Sequence, residues 1–244
     1  GQTTTLSSTT GGGTWTSSST ATGSVSTSGV VTGVAAGAFT ITYSVTNSCG
    51  TGSTTKAMLG YWTPTIGVSV GSDNSCVGAT TTYSASPTTG YAWTSSNNAV
   101  ATINSGGTLM SITTGTTTIS YTHTTAGCYT TAIQTVNTVP SFSITTPVCA
   151  TTSQTLNGTP AGGVWSSSNT GVATIGSTSG IINTTSAGST SIQYTNGPCS
   201  AGHTLSVSAM PGTITGVTTI CNGSTTQLTS GTASQTWSSN NTAV

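Results

Sequence analysis

Residues 162–180 read GGVWSSSNTGVATIGSTSG. A single Trp is followed by small hydroxyl residues and then by an apolar alternation. Near-copies occur at three other places: GGGTWTSSSTATGSV around Trp15, GYAWTSSNNAVATI around Trp93 and SQTWSSNNTAV around Trp237. The four Trp are spaced by 78, 72 and 72 residues. A fixed period of this size is an internal repeat. It is too long for one solenoid coil and suits one small β-sandwich. A sandwich of some 70 residues has little core, so it needs its own large anchor. An indole buries about 150–250 Å². Trp15, Trp93, Trp165 and Trp237 are therefore read as core anchors, with Val172, Ala173 and Ile175 continuing the core beyond Trp165.

The rest of the repeat is legible outward from the Trp. Alternating runs with Tyr follow the first three: FTITYSV, TTISYTH and TSIQYTN. Tyr43, Tyr121 and Tyr194 lie 28, 28 and 29 residues after their Trp. A Cys motif precedes the last three: CVGATTTY, CATTSQTL and CNGSTTQL. Strand B is expected at TTTLSS or SQTLNG, C at the Trp, D at VATI, E at GVVTGV or GIINTT, F at the Tyr run and G at TTKAML or HTLSVSA. Period-2 alternation and β-branched residues support each strand. Gly, Asn, Ser and Pro punctuate them, and no stretch has helical apolar spacing. The expected fold class is all-β, a rod of tandem immunoglobulin-like sandwiches. The expected organisation is a repeat lacking its first strand at 1–65, whole repeats at 66–142 and 143–211, and the opening of another at 212–244. Gly1 aligns with Gly78 and Gly223, and Val244 with Val100 and Val172. The chain thus reads as a segment of a longer polypeptide, with a Cys expected two residues before Gly1.

Composition narrows the function. Lys56 and Asp73 are the only formal charges in 244 residues, where an ordinary domain is about one-quarter charged. Thr, Ser, Gly and Asn replace them. Net charge away from zero helps keep proteins monomeric, and that safeguard is missing. The expectation is a chain that lives assembled, tethered or glycosylated. Ser/Thr-rich tracts are often disordered, but the recurrent Trp, Val and Ile argue for a fold. No apolar run is long enough for a membrane span, and no signal peptide is recognised.

The pattern W-S/T-S-S-x-x-x-V-A-T-I, followed by G-V/I and A-G-x-x-x-I-x-Y, resembles the bacterial immunoglobulin-like domain of group 2. With the added Cys motif it resembles the tandem arrays of very large surface proteins of Bacteroidota-type bacteria. The third repeat matches best, and the second departs at INSGGTLMSITTG. The resemblance implies an extracellular or cell-surface stalk or adhesin. It carries no catalytic residue across.

The six cysteines form two alternating classes. Cys76, Cys149 and Cys221 precede strand B; Cys49, Cys128 and Cys199 lie in the turn after strand F. Surface proteins keep disulfides. Pairing within a repeat gives Cys76–Cys128 and Cys149–Cys199. Pairing across boundaries gives either Cys76–Cys199 or the set Cys49–Cys76, Cys128–Cys149 and Cys199–Cys221. An immunoglobulin-like topology puts the A–B and F–G turns at opposite ends of a domain. Bonded Cα atoms must lie within about 7 Å, which favours Cys76–Cys199. Within-domain bonds are commoner in general, and the two rules stay open at this point. Some cysteines then need partners outside the chain.

Catalysis has little inventory. Asp73 is the sole carboxylate side chain, which excludes paired-carboxylate chemistry. His123 and His203 occupy non-equivalent positions and are read as exposed or turn residues. No CxxC or paired-His spacing suggests zinc. Calcium wants several carboxylates, and nucleic acid wants more than one Lys. No cofactor, metal or nucleic acid is expected. Asn157, Asn183, Asn222 and Asn240 stand in N-x-S/T sequons and are candidate glycosylation sites. Uncharged strand edges invite pairing with other chains, so self-association into a filament, or continuation along a longer chain, is the expected partner relation. The rival is a glycan- or cell-surface-binding module using tandem avidity, with Trp62, Tyr61 and Tyr91 as its candidate platform. Ice binding would need regular Thr-x-Thr rows, and the Thr runs are separated by whole repeats.

Overall fold

A computed structural model describes residues 2–231 and 236–240. The alignments of Gly1 and Val244, and the parts of the 212–244 segment at 232–235 and 241–244, fall outside them. The described residues are all-β and carry no helix. The chain forms two compact units, Gly1–Val136 and Asn137–Val244.

The first unit opens with β1 (Thr3–Thr5), β2 (Thr14–Ser17), β3 (Gly23–Val25), β4 (Val30–Gly33), β5 (Gly37–Asn47) and β6 (Gly50–Gly60). They make two three-stranded sheets, ordered β1-β4-β3 and β2-β5-β6. Next come β7 (Thr65–Val70), β8 (Asn74–Cys76), β9 (Thr80–Ser86), β10 (Tyr91–Ser95), β11 (Ala101–Ile103), β12 (Thr108–Ser111), β13 (Gly115–His123) and β14 (Tyr129–Asn137). These give four-stranded sheets, β11-β12-β9-β7 and β10-β13-β14-β8.

The second unit holds β15 (Val148–Cys149), β16 (Ser153–Thr155), β17 (Val164–Ser167), β18 (Ala173–Ile175), β19 (Ile181–Thr184), β20 (Gly188–Asn196) and β21 (Cys199–Ser208). Its sheets are β16-β19-β18 and β15-β21-β20-β17. A short pair, β22 (Ile214–Thr215) and β23 (Thr229–Ser230), follows.

The same architecture therefore recurs three times, built from B, E and D strands on one side and C, F and G strands on the other. These are immunoglobulin-like sandwiches. Period 2 decides which face is inside. Along β13, Thr117, Ile119, Tyr121 and His123 are buried while the residues between them are not. Each sandwich has its own core. Val31, Phe39 and Ile41 centre the first; Tyr83, Ala101, Leu109 and Ile119 the second; Trp165, Ile182, Ile192 and Leu205 the third. The first core is the smallest, and no strand precedes β1 among its described residues.

Candidate functional site

The Trp of each strand C faces the Tyr of strand F in one register: Trp15 opposite Tyr43, Trp93 opposite Tyr121 and Trp165 opposite Tyr194. Their ring centroids stand 4.5, 4.4 and 4.4 Å apart. Each Tyr hydroxyl donates to a carbonyl in the B–C turn: Thr10 at 2.7 Å, Pro87 at 3.0 Å and Pro160 at 2.7 Å. In the first and third repeats that hydroxyl also accepts from a glycine N–H, Gly13 and Gly163, at 2.8 Å. The unit is a structural latch that ties the turn to the F strand and satisfies the Tyr polar end. Trp165 is buried, Trp15 and Trp93 are half-buried, and Trp237 is 50 % exposed.

Around the second repeat's open end the aromatic candidates come together. Tyr61 packs on His123 at 4.0 Å, and Tyr91 stacks on Tyr121 at 5.1 Å and meets His123 edge-on at 4.7 Å. The Tyr91 hydroxyl donates to the Trp62 carbonyl at 2.7 Å. His123 Nδ1 accepts from the N–H groups of Thr125 and Ala126 at 3.2 and 3.0 Å. Tyr61 and Tyr91 are thus engaged with neighbours, while the Trp62 side chain is 60 % exposed. His123 is buried, which corrects its reading as an exposed or turn residue. It occupies the next inward position after Tyr121 on β13, a signal the alternation already carried. His203 lies on β21, exposed, with its ring 4.7 Å from Phe142.

A buried polar network, unforeseen from the sequence, lies in the second sandwich. Gln134 Nε2 donates to Ser75 Oγ at 2.9 Å and to the Ser72 carbonyl at 3.3 Å. The Tyr83 hydroxyl donates to Gln134 Oε1 at 3.0 Å, and Ser75 Oγ meets Ser111 Oγ at 2.8 Å. Burial first, and then the nearby Asp73 charge, push the Tyr83 phenol up to about 12. Both disfavour a phenolate.

Cys76 and Cys199 are disulfide-bonded. Cys49, Cys128, Cys149 and Cys221 are free. Two of the free thiols line cavities of the first unit. Cys49 borders one of about 540 Å³ beside the β5–β6 hairpin. Cys128 borders one of about 670 Å³ that also reaches Val31, Phe39, Met58 and Trp62. The sequon residues Asn157, Asn183, Asn222 and Asn240 are all exposed. Among the described residues no three His, Cys, Asp or Glu converge to hold a metal. Asp73 and Lys56 are exposed and lie on different sandwiches.

No protein-family model and no curated protein matches the chain. Solved structures match over much of its length. Domains 1–6 of the surface layer protein SbsC are similar at 16 % identity and a TM-score of 0.30, over 85 % of this chain and 37 % of that chain. A C-terminal fragment of intimin, in complex with the intimin-binding domain of the translocated intimin receptor, is similar at 16 % identity and a TM-score of 0.35, over 69 % and 57 %. Immunoglobulin domains 1–4 of Sidekick-1 are similar at 13 % identity and a TM-score of 0.27, over 82 % and 67 %. The chain spans 37 % and 43 % of two SbsC chains that it matches. At these identities the likeness concerns the fold.

Proposed function

We propose that the chain is a non-catalytic structural segment of an extracellular filament, fibre or giant cell-surface adhesin. The observation that carries this reading is the repetition of one complete device. Each sandwich has its own small core and its own Trp–Tyr latch, and cysteines of two alternating classes recur between them. Load along such a chain is shared by small cores in series, with disulfides limiting extension. The near absence of charge supports assembly, because nothing on the surface repels a neighbouring copy. A group 2 bacterial immunoglobulin-like array of the Bacteroidota type is the finer form of the proposal. The exposed sequon residues and many Thr hydroxyls would carry its glycan coat.

Electron microscopy of the native, unreduced material tests it. Continuous fibres with a regular repeat of several sandwiches are expected. Isolated flexible bead-strings without lateral or end-to-end contact would overturn the filament form and leave an adhesin stalk.

One observation favours a second reading, adhesion to a glycan. Trp62 presents an exposed indole beside a cavity, and flat sugar faces stack on such rings. Loss of glycan-array binding in Trp62→Ala would establish it; binding unchanged by that substitution would remove it.

A further inference from the structure

The joint between the first and second sandwiches departs from the repeat at three positions. The repeats align through the facing Trp and Tyr and through the F–G hairpin, with Gly37 opposite Gly60, Gly115 opposite Val136 and Gly188 opposite Val207. Met58, Gln134 and Leu205 are equivalent in that register. Tyr91 stands two residues before its Trp, where the other repeats have Gly13 and Gly163. His123 stands two residues after its Tyr, where the others have Val45 and Asn196. Tyr61 follows Gly60, at the place of Asn137 and Ser208 in the later repeats. The three rings meet: Tyr61 and Tyr91 both contact the His123 ring, at 4.0 and 4.7 Å.

His123 also shapes its own turn. The His123 N–H donates to the Cys128 carbonyl at 2.8 Å, and the Gly127 N–H donates to the His123 carbonyl at 3.0 Å. Its Nδ1 accepts from two further N–H groups inside the turn, those of Thr125 and Ala126. An imidazole nitrogen that accepts carries no proton, so the neutral ring holds its proton on Nε2. Nε2 faces Gly90, where a Cβ would lie 3.1 Å from it. The ring is 8 % exposed. Beside it the Tyr91 hydroxyl ties β10 to the Trp62 carbonyl of the linker.

A second proton has one place to go. Both ring nitrogens are donors in an imidazolium, so the proton lands on Nδ1, at which two N–H groups already point. Those two bonds are then lost and become donor–donor clashes. Burial acts in the same direction, because it disfavours the charged ring. The titratable groups facing the ring are phenols and a thiol. Tyr61 comes from the end of the first sandwich, Tyr91 from β10 with Tyr121 of β13 stacked behind it, and Cys128 lies just before β14, close enough to act on Tyr91. None is a carboxylate that would hold an imidazolium in place. A phenol face attracts a cation, but it leaves the two donors aimed at Nδ1 where they are.

We propose that His123 is a proton-operated latch on this joint. Neutral, it closes the F–G turn of the second sandwich and seats Tyr61 at the end of the first. Protonated, it leaves its slot for water and frees both. The closed joint is present while the ring is neutral and is lost as acid protonates it. The first two sandwiches are then firmly joined in neutral surroundings and loosely joined in acid ones. The device is local to residues 61–128, and it holds whether the chain serves in a filament or in an adhesin.

The test is nuclear magnetic resonance on the full, isotope-labelled chain at about pH 8 and about pH 5, either side of the ordinary imidazole range. At the higher pH the His123 ring should show the Nε2-protonated tautomer and a cross-relaxation contact with the Tyr61 ring. At the lower pH that contact should vanish. Hydrogen-exchange protection of the Thr125 and Ala126 amides, corrected for the intrinsic effect of pH, should fall at least about tenfold, equivalent to about 1.4 kcal/mol. Unchanged protection overturns the latch, and so does an Nδ1-protonated ring at the higher pH. Loss of protection with the Tyr61 contact intact also overturns it, because the joint then stays closed. His123→Asn installs the residue of the third repeat and removes the titrating group, so the acid response should disappear. His203→Asn should keep the response in full, since that ring lies exposed on β21. A response that survives His123→Asn, or is lost in His203→Asn, belongs to another group and overturns the inference. Should His123→Asn fail to fold, the unsubstituted chain and His203→Asn decide alone.

Discussion

At the scale of the residue, the tryptophans recur in sequence but not in environment. Trp165 is 5 % exposed, whereas Trp237 is 50 % exposed. Trp165→Ala is expected to destabilise its sandwich by about 3–5 kcal/mol, the usual cost of emptying an aromatic site. Trp237→Ala should stay within about 0.5 kcal/mol. Denaturant unfolding of the two variants checks the contrast. Tyr83 gives a pH signature. Burial, and then the Asp73 charge, raise its phenol from the ordinary 10.0 to about 12 in the folded chain. The folded state therefore favours the protonated form. That contribution is fully present below the unfolded value and is lost as pH rises through the folded one. Alkaline unfolding monitored between those two values should show the loss, and Tyr83→Phe should flatten it. The same substitution leaves Gln134 Oε1 without its donor, so it should cost about 1–3 kcal/mol at neutral pH.

At the scale of the element, the latch makes the B–C turn depend on the smallness of Gly163. A Cβ on Gly163 would lie 2.5 Å from the Tyr194 ring and 2.6 Å from the Thr195 carbonyl oxygen. Both are too close for a side chain, and backbone cannot yield cheaply. Gly163→Ala is therefore expected to cost about 1–3 kcal/mol by overpacking, read as a lower melting temperature of the third sandwich alone. Edge exposure is the other property decided at this scale. β6 is eleven residues long and exposed over most of its length. Long, flat, nearly uncharged edges are templates for pairing. The equivalent edges of β14 and β21 are covered by strands from their own repeats.

At the scale of the whole molecule, stability resides in separate small cores. No core cluster includes a bonded pair of cysteines within one sandwich. Reductant is therefore expected to leave the far-UV β-signal unchanged while freeing two thiols. Alkylation should count four modified cysteines in the unreduced chain and six after reduction. Collapse of the β-signal on reduction would show that the disulfide holds a core and not a connection.

The sequence by itself determined the period and the strand identities, because these follow from local alternation and from the need of every small sandwich for one large anchor; that the Trp of strand C stands opposite the Tyr of strand F was decided by the strand register. It also limited catalysis, since inventory is a property of composition. Gln134 was not legible. Its equivalents are Met58 and Leu205, and only the packing of Ser72, Ser75 and Tyr83 around it makes a polar residue fit where the others are apolar. His123 was half legible, from its inward register on β13, but its burial depends on Tyr61 and Tyr91 closing over it. The cysteine rule was undecided for the same reason. Spacing in sequence is equal for several pairings, and a disulfide answers to distance in space, which tertiary structure alone sets.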